Sequence, residues 1–322
     1  MREINFLQAI CEAQYEEMKR DPRVFLMGED VASNMMGTSG GLVEAFGKDR
    51  VRNTPISESG FTGLGVGSAL VGMRPIVDFG IASFIYVAMD QIISMAAKCT
   101  YMYGGQAKVP IVFRAAMYYG GSMAAQHSDR PIPSFMNVPG IKIIVPSTPY
   151  DVKGLLKSAI RDDDPVMCFE DGTVLATKGA VPEEEYLIPL GKADVKRAGS
   201  DVTIVAIGGG VLLALAAANE LSKENISAEV IDPRTLVPLD KNTILESVKK
   251  TGHLVVVDPS HKTCSAASEI SAIVAEEAFW SLQGPIQVIA AADTQVPFSP
   301  ALEPQIFPSK EKIIAAVQKT MK

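Results

Sequence analysis

The chain is short of several things at once. Among 322 residues it carries four cysteines, and Cys11, Cys99, Cys168 and Cys264 lie too far apart to form a C-x-x-C pair. That spacing excludes a zinc-ribbon site and a disulfide framework, and it points to structural thiols in a reducing compartment. Basic clusters are missing. With a net charge of -7 and no Lys/Arg patch, a nucleic-acid binder is excluded and no nucleic-acid partner is expected. Long apolar runs are missing too. A membrane span needs roughly 20 apolar residues in a row, whereas VTIVAIGGGVLLALAAA is interrupted at Gly208, Gly209 and Gly210. The N-terminal MREINFLQAI is mixed and charged, unlike a signal peptide. These absences read as a cytoplasmic protein, although a matrix protein stripped of its presequence would look the same.

Familiar catalytic motifs are also absent. There is no G-x-x-x-x-G-K-[ST], no G-x-G-x-x-G in a strand-to-helix setting and no G-x-S-x-G. AIGGGVLLA at 206 to 214 reads as a tight strand-to-helix turn. EDG at 170 to 172 is not the start of a G-D-G followed by a distant N-N pair.

What is present is apolar and regularly spaced. Hydrophobic residues make up 47% of the chain, enough for a sizeable core and two domains of ordinary size. Short continuous runs recur: VFLMGED, PIVDFG, VPIVFRA, IKIIVPS and PVMCFE, then VTIVAIGG, AEVIDP, HLVVVDP and IQVIAA. Continuity rather than alternation is the mark of parallel strands buried on both faces. Helical spacing fills the intervals, as in FIYVAMDQIISMAAKCTYMYGG and STPYDVKGLLKSAIRDDDP. In the latter, Thr148 is placed to cap, Pro149 suits the first helical position, and Asp151 favours the first turn. Alternating strand and helix predicts an α/β fold. The polar, proline-bearing stretch at about 175 to 195 predicts a boundary between two units, residues 1–185 and 186–322.

Three places could carry chemistry. In NTPISESGFTGLGVGSAL, residues 53 to 70, Glu58 heads a glycine-rich segment that otherwise reads as buried. It is either a carboxylate satisfied by backbone amides at a helix N-terminus or one that meets a ligand. His127 lies in the loop GGSMAAQHSDRP. It is a surface histidine or a titrating group beside a substrate. His261 in DPSHKTC is a weaker candidate of the same kind. RDDDP at 161 to 165 follows a predicted helix and is a solvated loop or the edge of a cation site.

Taken in order, VFLMGED, FGKDRVRNTPISESGFTGLGVGSALVGMRPIVDF, MDQIISMAAKCTYMYGGQAKVPIVFRA, AAQHSD, PGIKIIVPSTPYDVKGLLKSAIRDDDPV, IDPRTLVPLD and DTQVPFSP carry a resemblance over nearly the whole chain. The chain resembles the beta subunit of the thiamine-diphosphate-dependent first component of 2-oxo acid and acetoin dehydrogenase complexes. TYMYGG, AAQHS, VPFSP and the closing KTMK lean toward the acetoin branch. The resemblance implies two transketolase-like domains, each a mostly parallel sheet flanked by helices: a pyrimidine-binding domain and a C-terminal-like domain.

It also implies roles. Glu58 matches the glutamate that contacts the cofactor's aminopyrimidine ring, where sharing a proton helps the cofactor lose its own thiazolium proton. Phe84 matches an aromatic packed on that ring, and His127 an active-site histidine that moves protons or orients the acyl acceptor. Ile111, Ala159, Ile160, Asp162 and Asp164 match a structural monovalent-cation site, usually for potassium. The missing G-D-G…N-N motif, which holds Mg²⁺ and the diphosphate, is expected on an alpha subunit, giving an α2β2 assembly that serves a lipoyl acyltransferase core. Departures surround His127: Asp129 stands where the family carries a neutral amide, and Pro131 and Pro133 stiffen the loop. They leave two rivals, a two-chain transketolase or carboligase and a transketolase-like scaffold without turnover.

Overall fold

In a computed structural model that describes residues 1–322, the chain divides into two compact units. One comprises Met1–Tyr118 and His127–Leu190, the other Tyr119–Gln126 and Gly191–Lys322. The apolar runs of the first unit form neighbouring strands in the order Lys142–Ile144, Val166–Asp171, Val112–Met117, Arg74–Ile81, Val24–Gly28, Val51–Asn53, every pair parallel. Val24–Gly28, Val112–Met117 and Val166–Asp171 are buried at every residue. A run covered by helices on both faces has no solvent side and so no reason to alternate.

The helix Phe6–Arg20 opens with a reciprocal capping box between Asn5 and Gln8. It packs on Pro149–Arg161, where Thr148 Oγ1 accepts from the Asp151 N–H at 3.1 Å and Pro149 takes the first turn. Between the two helices, Lys153 reaches Glu12 and Glu16 at 3.0 and 2.7 Å, Lys157 reaches Glu16 at 2.6 Å, and Arg161 reaches Glu17 at 2.7 Å. The lysine stems are buried while their charges find partners, so polar residues extend the apolar seam.

The segment after Arg74–Ile81 departs from the expected continuous helix. It is a 3-10 stretch over Ala82–Ala88, a π-helical stretch over Asp90–Ala96 and α-helix only over Ala97–Met102. Ile85, Val87, Ile92 and Ile93 are β-branched and favour the α-helix weakly, so packing sets the winding. π-turns of this kind gather at functional sites.

In the second unit Gln287–Ala291, Leu254–His261, Val202–Ala206 and Ala228–Asp232 are parallel neighbours, with Asp194–Arg197 antiparallel at the edge. Helices Gly210–Lys223 and Lys310–Thr320 contribute Val211, Ala214, Ala218, Ile313 and Val317 to its core. The GGG run turns the strand into the first of these helices. A Cβ at Gly210 would lie 3.2 Å from Val257 Cγ1, so close packing accounts for that glycine. All four cysteines are free, and no helix is long and apolar enough to cross a membrane.

Candidate active site

Glu58 is the first residue of the helix Glu58–Leu70. The helix lies tight on the sheet: a Cβ at Gly65 would come within 2.8 Å of Val77 Cγ2. That approach buries the helix start, and Glu58 is only 7% exposed. Ser57 gives no side-chain cap. The Glu58 carboxylate takes no hydrogen bond and no ion pair from this chain, which removes the reading of a carboxylate satisfied by its own helix. Its electrostatic neighbour is another acid. Burial raises the Glu29 carboxyl, and the charges of Glu58 and Asp30 add to that rise. Glu29 belongs to GED at the C-terminal end of Val24–Gly28, where ligands of parallel sheets gather. Sequence reading passed over it, although its place at a strand end was the available signal.

Phe84 and His127 come together. Their ring centroids are 5.5 Å apart in an edge-on arrangement at 78°, and both rings are half-buried. Glu58 makes no ring contact or hydrogen bond with either. Around the pair sit buried hydroxyls with no partner in the chain, Ser83 Oγ beside Phe84 and Ser128 Oγ beside His127, while Thr62 Oγ1 is orphaned on the Glu58 helix. A buried hydroxyl without a partner costs about 1–3 kcal/mol, so each of these groups has hydrogen-bonding capacity that the chain itself leaves unused. Burial pushes the Tyr86 hydroxyl up, and the Asp129 charge adds to it. The acid that departs from the family pattern therefore faces Tyr86. His261 is already spoken for by the Ala292 carbonyl at 2.7 Å.

A second polar cluster lies deeper in the same sheet. Arg114 is 1% exposed and donates to Glu170 at 2.7 and 3.0 Å, to Asp78 at 2.9 Å and to Gln14 at 3.1 Å. Burial raises the Glu170 carboxyl despite its arginine, and the Asp78 charge reinforces the rise. Sequence reading missed this network because its members stand on three different strands and a helix.

The residues matched to a cation site are close together but well engaged. The carbonyl of Ile111 accepts from Val166 N at 3.0 Å and that of Ala159 from Asp162 N at 3.2 Å. The carbonyls of Ile160 and Asp162 accept from Arg74 at 3.1 and 2.8 Å. Lys142 meets the Asp162 carboxylate at 2.8 Å and Asp164 at 3.1 Å.

Known proteins match the chain in sequence and fold. Residues 2–175 match the transketolase pyrimidine binding domain and residues 191–313 the transketolase C-terminal domain. A solved chain titled "Split gene transketolase, inactive beta4 tetramer" superposes with a TM-score of 0.81 at 24% identity over 99% of this chain and 98% of that one, a likeness of fold. The fold is thus a pair of transketolase-like α/β domains. The beta subunit of acetoin:2,6-dichlorophenolindophenol oxidoreductase of Bacillus subtilis is 46% identical over 98% of this chain and 96% of its own. The beta subunit of the pyruvate dehydrogenase E1 component of Rickettsia felis is 45% identical over 98% of each. The chain belongs to this family, the beta subunits of acetoin and 2-oxo acid dehydrogenases.

Proposed function

We propose that the chain is the beta subunit of a thiamine-diphosphate-dependent dehydrogenase that decarboxylates a pyruvate-like 2-oxo acid or cleaves acetoin. The acyl group passes to lipoamide on a partner acyltransferase. One observation carries the reading: Glu58, a buried carboxyl group without a partner in its own chain. A carboxylate in that position needs a nitrogen donor from outside, and the aminopyrimidine of the cofactor is such a donor.

The other residues fit the same group. Phe84 offers a ring face, and His127 beside it offers ring nitrogens able to donate or accept a hydrogen bond. The orphaned hydroxyls of Ser83 and Ser128 are ready for further polar contacts. When bound, the cofactor supplies the electron sink that carbon–carbon cleavage requires. This chain holds the pyrimidine end with Glu58 and Phe84 and presents His127 to the substrate. Residues 1–185 form the pyrimidine-binding domain in this reading, and 186–322 the domain for beta–beta and acyltransferase contacts.

The diphosphate and its Mg²⁺ fall to an alpha subunit with the G-D-G…N-N motif, in an α2β2 assembly. The outer face of the Glu58 helix supports a close partner. Ile56 is 82% and Leu64 53% exposed, and Gly60 and Gly67 leave the surface flat between and beyond them. A monovalent cation, in the same reading, is held at Ile111, Ala159, Ile160, Asp162 and Asp164, where Lys142 is paired with the two acids. Four free thiols support a reducing, cytoplasmic setting.

Co-purification with a candidate alpha chain tests the proposal, followed by thiamine-diphosphate-dependent reduction of an artificial electron acceptor with acetoin, pyruvate and branched 2-oxo acids. Turnover only in the two-chain complex, on one substrate class, is the expected result. A stable complex with no turnover on any of them, but ketol transfer to a sugar aldehyde, would replace the dehydrogenase with a transketolase. A complex inert in both assays would leave a scaffold.

A further inference from the structure

The chain beyond His127 turns inward. Ser128, Arg130, Pro131 and Ile132 are buried, whereas His127 and Asp129 are only half-buried. Two side chains of this stretch, Arg130 and Phe135, meet one face of the strand Val166–Asp171. Residues two apart on a strand share a face, and Phe169 and Asp171 are such a pair. The Phe169 ring lies 6.2 Å from that of Phe135, in the short helix Ile132–Met136. The Asp171 carboxylate lies 3.7 Å from Arg130 Nη1, and the side chains of this ion pair are 1% and 3% exposed. One oxygen of Asp171 accepts from the Thr173 N–H at 3.0 Å and from its hydroxyl at 2.7 Å, which holds the other toward the guanidinium. Glu170, between them in sequence, takes the opposite face with Arg114.

We infer that Arg130 is a positioning residue for His127, acting through its ion pair with Asp171. The inference rests on the role given to His127 above. His127, Phe84, Arg130 and Asp171 all belong to the same compact unit. Arg130 is three residues beyond His127, at most about 11 Å of extended chain, and Pro131 removes backbone freedom just after it. His127 is thus held in two ways. Its ring lies edge-on to Phe84 at 5.5 Å, and its backbone is tied to the strand through Arg130. An ion pair in water would constrain little, but one buried on both sides cannot trade its partner for solvent without a large cost. Loops that carry a reacting side chain need such support, because a displacement of about 1 Å can cost roughly 100-fold in rate.

Histidine ring resonances of the full chain read the placement without a turnover assay. The chain has three histidines, and His127→Ala identifies the signal of that ring by its loss. In Arg130→Met the His127 signal should shift and broaden while those of His253 and His261 stay in place; an unmoved His127 signal overturns the inference. Coupling to turnover is read in the complex with the alpha partner by a double-mutant cycle. Arg130→Met should lower kcat by about 10- to 100-fold with His127 present, with KM little changed, and by less than about 2-fold in the His127→Ala background. Arg130→Lys returns a positive charge beside Asp171 and should recover most of the loss. An equal loss in both backgrounds overturns the positioning role, since a merely structural defect would add to the loss of His127. Full turnover by His127→Ala alone overturns the role of His127 and the inference with it, a failure recognisable because Arg130 is then intact. If Arg130→Met fails to fold, Asp171→Asn removes the other charge, keeps an acceptor for Thr173 and is carried through the same two measurements.

Discussion

Glu170 and Glu58 are both acids of the first unit, and both are almost closed off from solvent, at 3% and 7% exposure. Their surroundings are opposite. Glu170 meets a guanidinium with two parallel N–H bonds, and that guanidinium is shared with Asp78 and Gln14. Glu58 meets nothing that neutralises it, and its electrostatic neighbour Glu29 is another acid. A buried charge with every bond made belongs to the architecture; removing one member leaves the others stranded. A buried charge with no bond made is destabilising unless something outside the chain completes it. Glu170 joins neighbouring strands through Arg114, whereas Glu58 stands without a partner where a ligand is expected.

The largest effect that could break this contrast is on turnover. Glu58→Gln in the two-chain complex should lower kcat by about 100-fold or more, the range of a lost proton-transferring group. The same change should leave the melting temperature of the chain equal or higher, since the carboxyl group makes no hydrogen bond or ion pair that would be lost. Steady-state assays and thermal melts on one preparation decide it. Full turnover would end the functional reading of Glu58. A large fall in melting temperature would place it with Glu170.

Arg114→Met should do the reverse. It leaves Asp78 and Glu170 facing each other without their cation, at a cost of about 3–5 kcal/mol in unfolding free energy. Arg114→Lys should also lose stability, because one ammonium cannot satisfy two carboxylates and Gln14 in the fork geometry. Urea denaturation reads both. A cost below about 1 kcal/mol for Arg114→Met would show that the network is dispensable and blur the comparison.

The two clusters also differ in how far the sequence reveals them. Strands such as VFLMG and VMCFED announce themselves, because burial on both faces is written locally as unbroken apolar residues. The Thr148 cap is legible for the same reason, since its partner Asp151 is three residues away. Glu58 stands out against glycines and small residues in its own segment. Arg114 finds Asp78 and Glu170 across 36 and 56 positions, and a local pattern cannot encode a meeting that strand order creates. Glu303 reaches back across 183 positions to Gly120, further still. The changes of winding within Ala82–Met102 are not legible in FIYVAMDQIISMAAKCTYMYGG, because periodicity near 3.6 does not distinguish 3-10 and π winding over single turns.

Asp21 provides a milder, satisfied acid. Hydrogen bonds from Arg23 at 3.0 and 2.8 Å lower its carboxyl from 3.8 to about 2, against an opposing effect of burial. A carboxyl whose folded value lies below its unfolded one adds stability above the unfolded value and loses it as pH falls through the folded one. The contribution should therefore be complete above about pH 4 and disappear toward pH 2. With Arg23 half in solvent, it amounts to about 1 kcal/mol. Unfolding free energies from pH 5 to pH 2 should fall less steeply for Asp21→Asn than for the parent. Parallel curves would show that Arg23 is not holding the charge.

Asp162 and Asp164 give the finest test, because the same pair could belong to either class. Burial pulls the Lys142 ammonium down, but the hydrogen bonds it donates to Asp162 and Asp164 outweigh that and leave the lysine raised. Arg74 adds a second positive group at the carbonyls of Ile160 and Asp162. These acids therefore resemble Glu170, and a potassium ion held by the nearby carbonyls would add little. A weak site near saturation contributes about 0.5 kcal/mol, a shift of about 1 °C in melting temperature. Melts in potassium chloride and choline chloride at equal ionic strength measure it. Lys142→Met removes the internal cation, and the potassium effect should then grow to several degrees as the ion takes over its charge. A shift of several degrees already in the parent chain would mean that Lys142 does not neutralise the pair. Asp162 and Asp164 would then stand with Glu58, as acids completed from outside the chain.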